Sequence, residues 1–228
     1  IEDFRNKKYQ NILTVDCGVT SVQEIKYAKE LGMTVIVTDH HEPPKELPCA
    51  DAIVNPKRLD DEYPFKGLAG VGVAFKLLTA VKSKIETNFD PFSLIDLVAV
   101  GTIADIVPLL SENRYFVRKG IEKIKKSPIA GLEALIKELR IQKEEITSQI
   151  IAYKIAPKIN AAGRMADAFT AFKLLISQNH EEISKNVSSL IKLNTKRQAK
   201  EKEIYLYALS LIDVNPELKE SKVIVLSG

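Results

Sequence analysis

The chain has 228 residues, of which 45% are hydrophobic and 28% charged. This composition is typical of a globular protein with a sizeable core, arranged as one large domain or one domain with an appendage, and it excludes a disordered chain. The 33 basic and 30 acidic side chains leave a net charge of +3, so any surface that binds nucleic acid must be local.

The cysteines and the hydropathy pattern bear on the compartment. Cys17 and Cys49 lie outside any pattern typical of a zinc knuckle or a disulfide framework, so we expect free thiols in packing or loop positions and no disulfide-linked partner. The most apolar long segment, residues 94–110, is interrupted by Asp96 and Asp105, and the first residues lack the apolar core of a signal peptide. We therefore expect a cytoplasmic protein that does not enter a membrane.

The first half of the chain predicts a parallel β-sheet. Residues 11–16 and 34–39 are apolar runs that each end in an aspartate. Between them, Ser21 and Glu24 have the spacing of a capping box, which opens a helix ending near Leu31. A strand, a helix and a second strand form a unit whose strands are parallel and whose crossover is right-handed. A proline-rich loop then leads to a short apolar segment at 52–54.

The tripeptide Asp39-His40-His41 closes the second of these strands, and Asp16 closes the first. Because parallel strands present their carboxyl ends at one edge of the sheet, these side chains should face the same crevice. Carboxylates and neutral imidazoles together suit a divalent metal. The alternative is that the aspartates cap a helix or a turn and that the histidines are satisfied surface or core groups.

The rest of the chain predicts helices. We expect them from 68 to about 81, at 91–106, 113–126 and 129–139, from about 147 to a stop before Pro157, and at 166–176. Residues 157–164 are interpreted as a loop. Neither glycine nor proline occurs from 181 to 215, which predicts one helix of about 50 Å with a solvated, charge-rich middle. Residues 222–228 have the pattern of a strand.

A third carboxylate, Asp105, lies near the end of an otherwise apolar helix. An unpaired carboxylate is costly to bury, and a metal ion would supply its partner. Local hydrogen bonding at the helix end is the alternative.

Together these segments resemble the DHH phosphoesterase superfamily and, within it, the RecJ-like single-stranded-DNA-specific exonucleases. The resemblance covers nearly the whole chain and rests on several motifs in the same order. Residues 14–18 (Thr-Val-Asp-Cys-Gly), 38–41 (Thr-Asp-His-His) and 101–109 (Gly-Thr-Ile-Ala-Asp-Ile-Val-Pro-Leu) are similar to the second, third and fourth motifs, and 68–77 and 159–165 favour the RecJ-like members.

The resemblance implies a two-metal centre and a function. Asp16 would bridge two Mn²⁺ or Mg²⁺ ions, His40 and Asp105 would ligate one of them, His41 would lie near the substrate phosphate, and Asp39 would orient its neighbours. The implied activity is stepwise 5′→3′ hydrolysis of single-stranded DNA to 5′-mononucleotides in recombination and repair. A hydrolase of small phosphorylated substrates and a non-catalytic replication scaffold are the alternatives.

Two basic segments are candidates for DNA contact. Lys158, Asn160 and Arg164 would form a phosphate cradle on the predicted loop, although solvated charges on a connecting loop are the simpler interpretation. A stripe on the long helix could follow a DNA backbone, but an exposed connector has the same appearance; it comprises Lys192, Lys196 and Lys200. His180 is interpreted as a capping or surface residue.

The resemblance also implies a domain organisation. We expect an α/β DHH-type catalytic domain at 1–178, with a parallel sheet flanked by helices and truncated at its start, then a connector helix at 179–215 and the beginning of a further domain at 216–228. The family's first motif and its C-terminal associated domain have no counterpart here, which predicts an internal piece of a longer protein with weak activity of its own. Lys158 replaces an arginine common in relatives, so charge is kept and bidentate geometry is lost.

Overall fold

The computed structural model, which describes residues 1–226, contains one parallel sheet. Its strands are β1 (Asn11–Val15), β2 (Thr34–Thr38) and β3 (Ala52–Val54), arranged in the order β1-β2-β3. Asn11 pairs with Thr34, and Ile36 pairs with Ala52. The α/β class with a helix-flanked parallel sheet is confirmed, and the apolar segment at 52–54 proves to be the third strand.

Helix packing on one face fixes the register of the sheet. Alternate residues of β2, Val35 and Val37, are buried against Ile25 and Ala28 of helix α2 (Val22–Glu30), which follows the short helix α1 (Glu2–Asn6). A shift of one residue would turn both valines to the opposite face. Ser21 is the N-cap of α2 as predicted, but its side chain makes no capping hydrogen bond.

The chain divides into two compact units. The first comprises residues 1–129 and 141–156, and the second comprises 130–140 and the chain from 157 onward. Beyond α2, the helices of the first unit are α3 (Gly70–Lys82), a 3₁₀ turn (Pro91–Leu94), α4 (Ile95–Ala104), α5 (Ser111–Lys126), a 3₁₀ turn (Lys143–Glu145), α7 (Ser148–Ile150) and a π-helical turn (Ile151–Ile155). A second core joins α3, α4 and α5 through side chains that include Val73, Phe75, Val98 and Phe116.

The second unit is helical. Its elements are α6 (Ala130–Glu138), α8 (Ala156–Met165), α9 (Phe169–Ile176), α10 (His180–Val214) and α11 (Pro216–Glu220). Leu132, Leu174 and Leu190 are fully buried where α6, α9 and the first half of α10 pack together.

Two sequence predictions for this region are wrong. Residues 157–164 form most of α8 instead of a loop. The π-helical turn Ile151–Ile155 runs directly into α8, so Pro157 lies inside one continuous helical stretch, just after the widened turn that such an interruption of the helical hydrogen bonds commonly accompanies. Described residues 222–226 form no strand, since no neighbouring strand supplies a ladder, and residues 227–228 lie outside the description.

The predicted long helix is present as α10, which has 35 residues and a length of about 52 Å. Asn179 caps it through the backbone N–H groups of Glu181 and Glu182, so His180 is its exposed first residue. Buried Ile183, Val187 and Leu190 show that its first half is packed, whereas its charged middle is largely exposed.

No helix among residues 1–226 is both long enough and apolar enough to cross a membrane. Cys17 and Cys49 are exposed free thiols.

Candidate metal centre

The centre lies at the carboxyl edge of the sheet. The N–H of Asp16 donates to the Thr38 carbonyl at 2.9 Å, and the N–H of Asp39 donates to the Val54 carbonyl at 3.0 Å, so the strand pairing continues into both aspartates. Asp16 has a φ of +63°, in the left-handed region that non-glycine residues seldom adopt. Such backbone conformations cost about 1–3 kcal/mol and cluster at functional sites.

Asp39 is a buried anchor for the turn that carries the histidines. Its carboxylate accepts the N–H groups of Val19 at 2.9 Å, His40 at 2.7 Å and His41 at 3.2 Å, and the ring Nδ1–H of His41 at 2.7 Å. Burial alone would raise the pKa of this carboxyl group, but the four hydrogen bonds outweigh it and hold the pKa below its usual value. Asp39 therefore stays ionised and orients the turn.

The buried ring of His40 presents a bare nitrogen to two carboxylates. Its Nδ1–H donates to the Leu68 carbonyl at 3.1 Å, which leaves the lone pair on Nε2. Nε2 lies 3.0 Å from Oδ1 of Asp16 and 3.4 Å from Oδ2 of Asp105. These distances would suit ion pairs, yet Nε2 has no partner in hydrogen-bonding geometry, and we give the geometry more weight because hydrogen bonds are directional. A lone pair that faces two carboxylates is a donor arrangement suited to a metal cation.

Asp105 approaches the same point from the end of a helix. It is the C-cap of α4, where the helix dipole is negative, and the next residue, Ile106, has a φ of +60° although it is β-branched. Partial burial raises the pKa of the Asp105 carboxyl group, and the charge of Asp16 raises it further; a proton on Nε2 of His40 would act in the opposite direction. Two carboxylates and a helix C-terminus thus converge, and a cation would offset all three.

The start of α3 leaves room for the Asp16 carboxylate. A Cβ atom on Gly70 would lie 2.0 Å from Oδ1 of Asp16, so only glycine fits here. In the sequence, Gly70 was noted only within segment 68–77, and its contact with the candidate ligand Asp16 was missed. The N-terminus of α3 also favours a negative charge beside it.

His41 is more exposed than its neighbour, with 58% of its side chain accessible. One ligand atom from each of Asp16, His40 and His41 lies within 4.8 Å of the others, so His41 can join the ligand set or contact a substrate. Its carbonyl accepts the side-chain N–H of Asn55 at 2.9 Å. Asn55 is fully buried just after β3 and was missed, although its position at a strand end is the same signal that identified Asp16 and Asp39.

The candidate phosphate-binding residues lie in the second unit. Lys158, Asn160 and Arg164 are all on α8, and the two that are four apart, Asn160 and Arg164, are exposed on the same side. Lys158 is two residues from Asn160 and faces another side. The predicted cradle on a glycine-containing turn is therefore wrong, because helical N–H groups are already bonded within the helix. Phosphate contact by the side chains themselves remains a prediction.

The lysine stripe on α10 is exposed but partly neutralised. Lys200 pairs with Glu203 at 3.0 Å, and the neighbouring Arg197 pairs with Glu201 at 2.8 Å. Lys192 and Lys196 form no ion pair within residues 1–226. Contact of this stripe with DNA remains a prediction.

Comparison with known proteins identifies the class of this fold and site. Residues 2–102 match the DHH family, N-terminal domain, and the chain carries a domain of that family. This stretch includes Asp16, Asp39, His40 and His41, whereas Asp105 lies just beyond it.

Within that class the chain is a relative of RecJ, as its motifs indicated. It is 43% identical over 195 residues to the single-stranded-DNA-specific exonuclease RecJ of Bacillus subtilis, covering 86% of this chain and 24% of that protein. The Escherichia coli RecJ is 36% identical over 215 residues, covering 90% of this chain and 37% of the relative. The chain thus spans about a quarter to two-fifths of the curated relatives' length.

Solved structures agree with this assignment. An exonuclease RecJ bound to manganese superposes with a TM-score of 0.81 at 35% identity and covers 92% of this chain and 54% of that one. The RecJ of Thermus thermophilus in complex with Mn²⁺ gives a TM-score of 0.78 at 36% identity and covers 89% and 30%.

Proposed function

We propose that this chain is the DHH portion of a metal-dependent phosphodiester hydrolase that removes 5′-mononucleotides from single-stranded DNA, acting in the cytoplasm. The observation that supports this proposal most directly is the bare Nε2 of buried His40 between Asp16 and Asp105. Relatives named single-stranded-DNA-specific exonucleases support the substrate and the reaction class.

The donor set fits a divalent ion. Asp16, His40 and Asp105 would hold it, with His41 as a further candidate ligand. One imidazole with carboxylates suits Mn²⁺ somewhat better than Mg²⁺, which prefers oxygen ligands alone. Ions in such a site activate a water molecule and stabilise charge on the attacking and leaving oxygens.

The chain's own residues prepare this chemistry. The carbonyl of Leu68 selects the His40 tautomer that leaves Nε2 free, as outer partners of metal-binding histidines commonly do. Asp39 holds the ring of His41 in the same way, so that its exposed Nε2 can coordinate a metal ion or, when it carries a proton, donate to a phosphate oxygen. Asp39 itself is buried and saturated with hydrogen bonds, so it positions other groups and is not available to a substrate.

The test is digestion of a 3′-labelled single-stranded oligodeoxynucleotide by the full-length protein with Mn²⁺. We expect stepwise shortening from the 5′ end, no attack on blunt duplex DNA, and loss of more than about a hundredfold in kcat/KM for His40→Ala. His180→Ala, at the exposed start of α10, is the matched control and should leave the rate unchanged. Cleavage of pyrophosphate or short dinucleotides with the oligonucleotide intact would support the small-substrate alternative, and undiminished digestion in EDTA would contradict the metal centre.

A further inference from the structure

The third strand brings another functional segment to the edge that carries the metal centre. Because β3 is parallel to β1 and β2, the residues after it lie at the same edge as Asp16 and Asp39. Those residues are Asn55-Pro56-Lys57-Arg58. Aspartates follow β1 and β2, whereas a neutral amide and then two cations follow β3.

Asn55 joins this segment to the histidine turn. Its side-chain N–H donates to the His41 carbonyl at 2.9 Å, and its side-chain oxygen accepts the backbone N–H of Lys57 at 2.9 Å. Since Asn55 is fully buried, both bonds are shielded from water. The backbone of Lys57 is thus tied through a single side chain to the residue next to the candidate metal ligand His40.

A cleft of about 370 Å³ opens between this segment and the chain that follows His41. This volume lies within the range of about 300–1,000 Å³ typical of small-ligand pockets and is enough for one nucleotide. Three cations and two carboxylates line the cleft: Lys45, Lys57, Arg58, Glu42 and Asp60. Pro43, Pro44, Leu47 and Leu59 complete the lining, so the walls are mainly apolar and the charged groups leave a slight excess of positive charge.

The three cations differ in their availability. Arg58 already uses its guanidinium within the protein, because it bonds to Asp60 and donates from Nη1 to the Ile53 carbonyl at 2.6 Å. Lys45 is exposed and has no ion-pair partner within residues 1–226. Nζ of Lys57 lies 3.1 Å from Oε1 of Glu42, whose side chain is 81% exposed. An ion pair exposed to this degree contributes little, so a phosphate could replace Glu42 at small cost.

We propose that this cleft is a nucleotide subsite for the substrate strand, in which Lys57 releases Glu42 and binds a phosphodiester oxygen. The inference rests on the proposed function and extends it to a residue outside the metal centre. Lys57 would neutralise a phosphate next to the cluster of carboxylates, which otherwise repels the strand.

The test compares variants of the full-length protein in binding a labelled (dT)12 oligonucleotide in EDTA and in hydrolysing it with Mn²⁺. Lys57→Ala should weaken binding about tenfold and lower the slope of log affinity against log salt by about one. Lys57→Arg should restore most of the affinity, because the charge is kept. Glu42→Gln should tighten binding by about two- to fivefold, because the competing carboxylate is removed.

The control is Lys26→Ala, which removes the same charge from an exposed position on α2 that makes no ion pair within the described chain. If Lys57→Ala matches Lys26→Ala in both binding and hydrolysis while the unaltered protein is active, the subsite is refuted and the proposed function stands. Loss of affinity that Lys57→Arg does not restore would assign Lys57 a structural role and also refute the subsite. If the unaltered protein neither binds nor hydrolyses the oligonucleotide, the proposed function fails and the inference with it.

Discussion

At the scale of single residues, the centre is held in an unfavourable state that a cation would relieve. His40 has a bare nitrogen, Asp105 sits at a helix C-terminus with a raised pKa, and Asp16 and Ile106 have left-handed backbones. Several locally unfavourable features therefore occur together at this one centre. Such conflicts are expected at functional sites, where binding compensates for the loss of stability.

One consequence can be measured without substrate. A carboxyl group whose pKa is raised in the folded state destabilises the fold once pH rises through that pKa, so ionised Asp105 should lower stability at pH 7. In EDTA, Asp105→Asn should therefore raise the melting temperature by about 2 °C, which corresponds to ~0.5 kcal/mol. With Mn²⁺ present, the same variant should gain less stability from the ion than the unaltered protein does.

Scanning calorimetry in EDTA and in Mn²⁺ measures both the rise in melting temperature and the smaller stabilisation by the ion. Glu86→Gln, an exposed position that makes no ion pair within the described chain, is the control for loss of one negative charge and should leave the melting temperature unchanged. A lower melting temperature for Asp105→Asn in EDTA would contradict the repulsion argument.

At the scale of elements, helix ends shape the centre as much as strand ends do. Glycine to alanine within a helix ordinarily stabilises by about 0.5–1 kcal/mol. At the start of α3 the same substitution should instead destabilise the protein, because the new methyl group of Gly70→Ala would meet the Asp16 carboxylate at 2.0 Å. We expect weaker Mn²⁺ binding by about tenfold or more, measured by titration calorimetry.

The matched control is Gly163→Ala on α8. A methyl group there would find its nearest neighbour, the Cβ of Ala168, at 3.8 Å, which is ordinary contact. Gly163→Ala should leave Mn²⁺ binding unchanged and slightly stabilise the protein. Equal metal affinity in the two variants would show that Asp16 does not need the space at Gly70.

A buried carboxylate also organises the helices behind the centre. Asp96 on α4 is fully buried, pairs with Lys123 of α5 at 2.7 Å and accepts the N–H of Ile129 at 2.9 Å. Removing one partner leaves the other charge uncompensated, so Asp96→Ala should destabilise the protein by about 3–5 kcal/mol in urea unfolding. Asp3→Ala, which removes an exposed carboxylate on α1, serves as the control. A cost below about 1 kcal/mol for Asp96→Ala, the level of an exposed ion pair, would contradict the structural role.

At the scale of the whole molecule, the candidate residues fall in two units. Asp16, His40 and Asp105 belong to the first, whereas Arg164 belongs to the second. If Arg164 contacts a phosphate of the strand, Arg164→Ala should weaken single-strand binding and lower its salt dependence by about one unit of slope, with Mn²⁺ affinity unchanged.

A variant of the metal centre separates cleavage from DNA binding. Asp105→Ala should abolish cleavage and spare DNA binding in EDTA, because the carboxylate only repels phosphates. Fluorescence anisotropy at several salt concentrations measures both variants. Unchanged affinity and slope for Arg164→Ala would leave α8 with a structural function alone.

Much of this protein follows from local patterns in its sequence. Alternating and continuous apolar runs predict β1, β2 and the crossover helix, and the parallel geometry then puts Asp16 beside Asp39-His40-His41. The absence of glycine and proline predicts α10 almost to the residue, because helix propagation depends mainly on local propensity and capping. The family motifs supply Asp105, which no local pattern connects to Asp16.

Tertiary structure alone decided the rest, since the deciding contacts join residues far apart in the chain. The His40 tautomer depends on the carbonyl of Leu68, the need for glycine at 70 depends on Asp16, and the position of Lys57 depends on Asn55 and His41. Pro157 predicted a helix stop, yet the π-helical turn before it lets the helix continue through the proline. Sequence determines which groups stand at strand and helix ends, and only folding determines which of those ends meet.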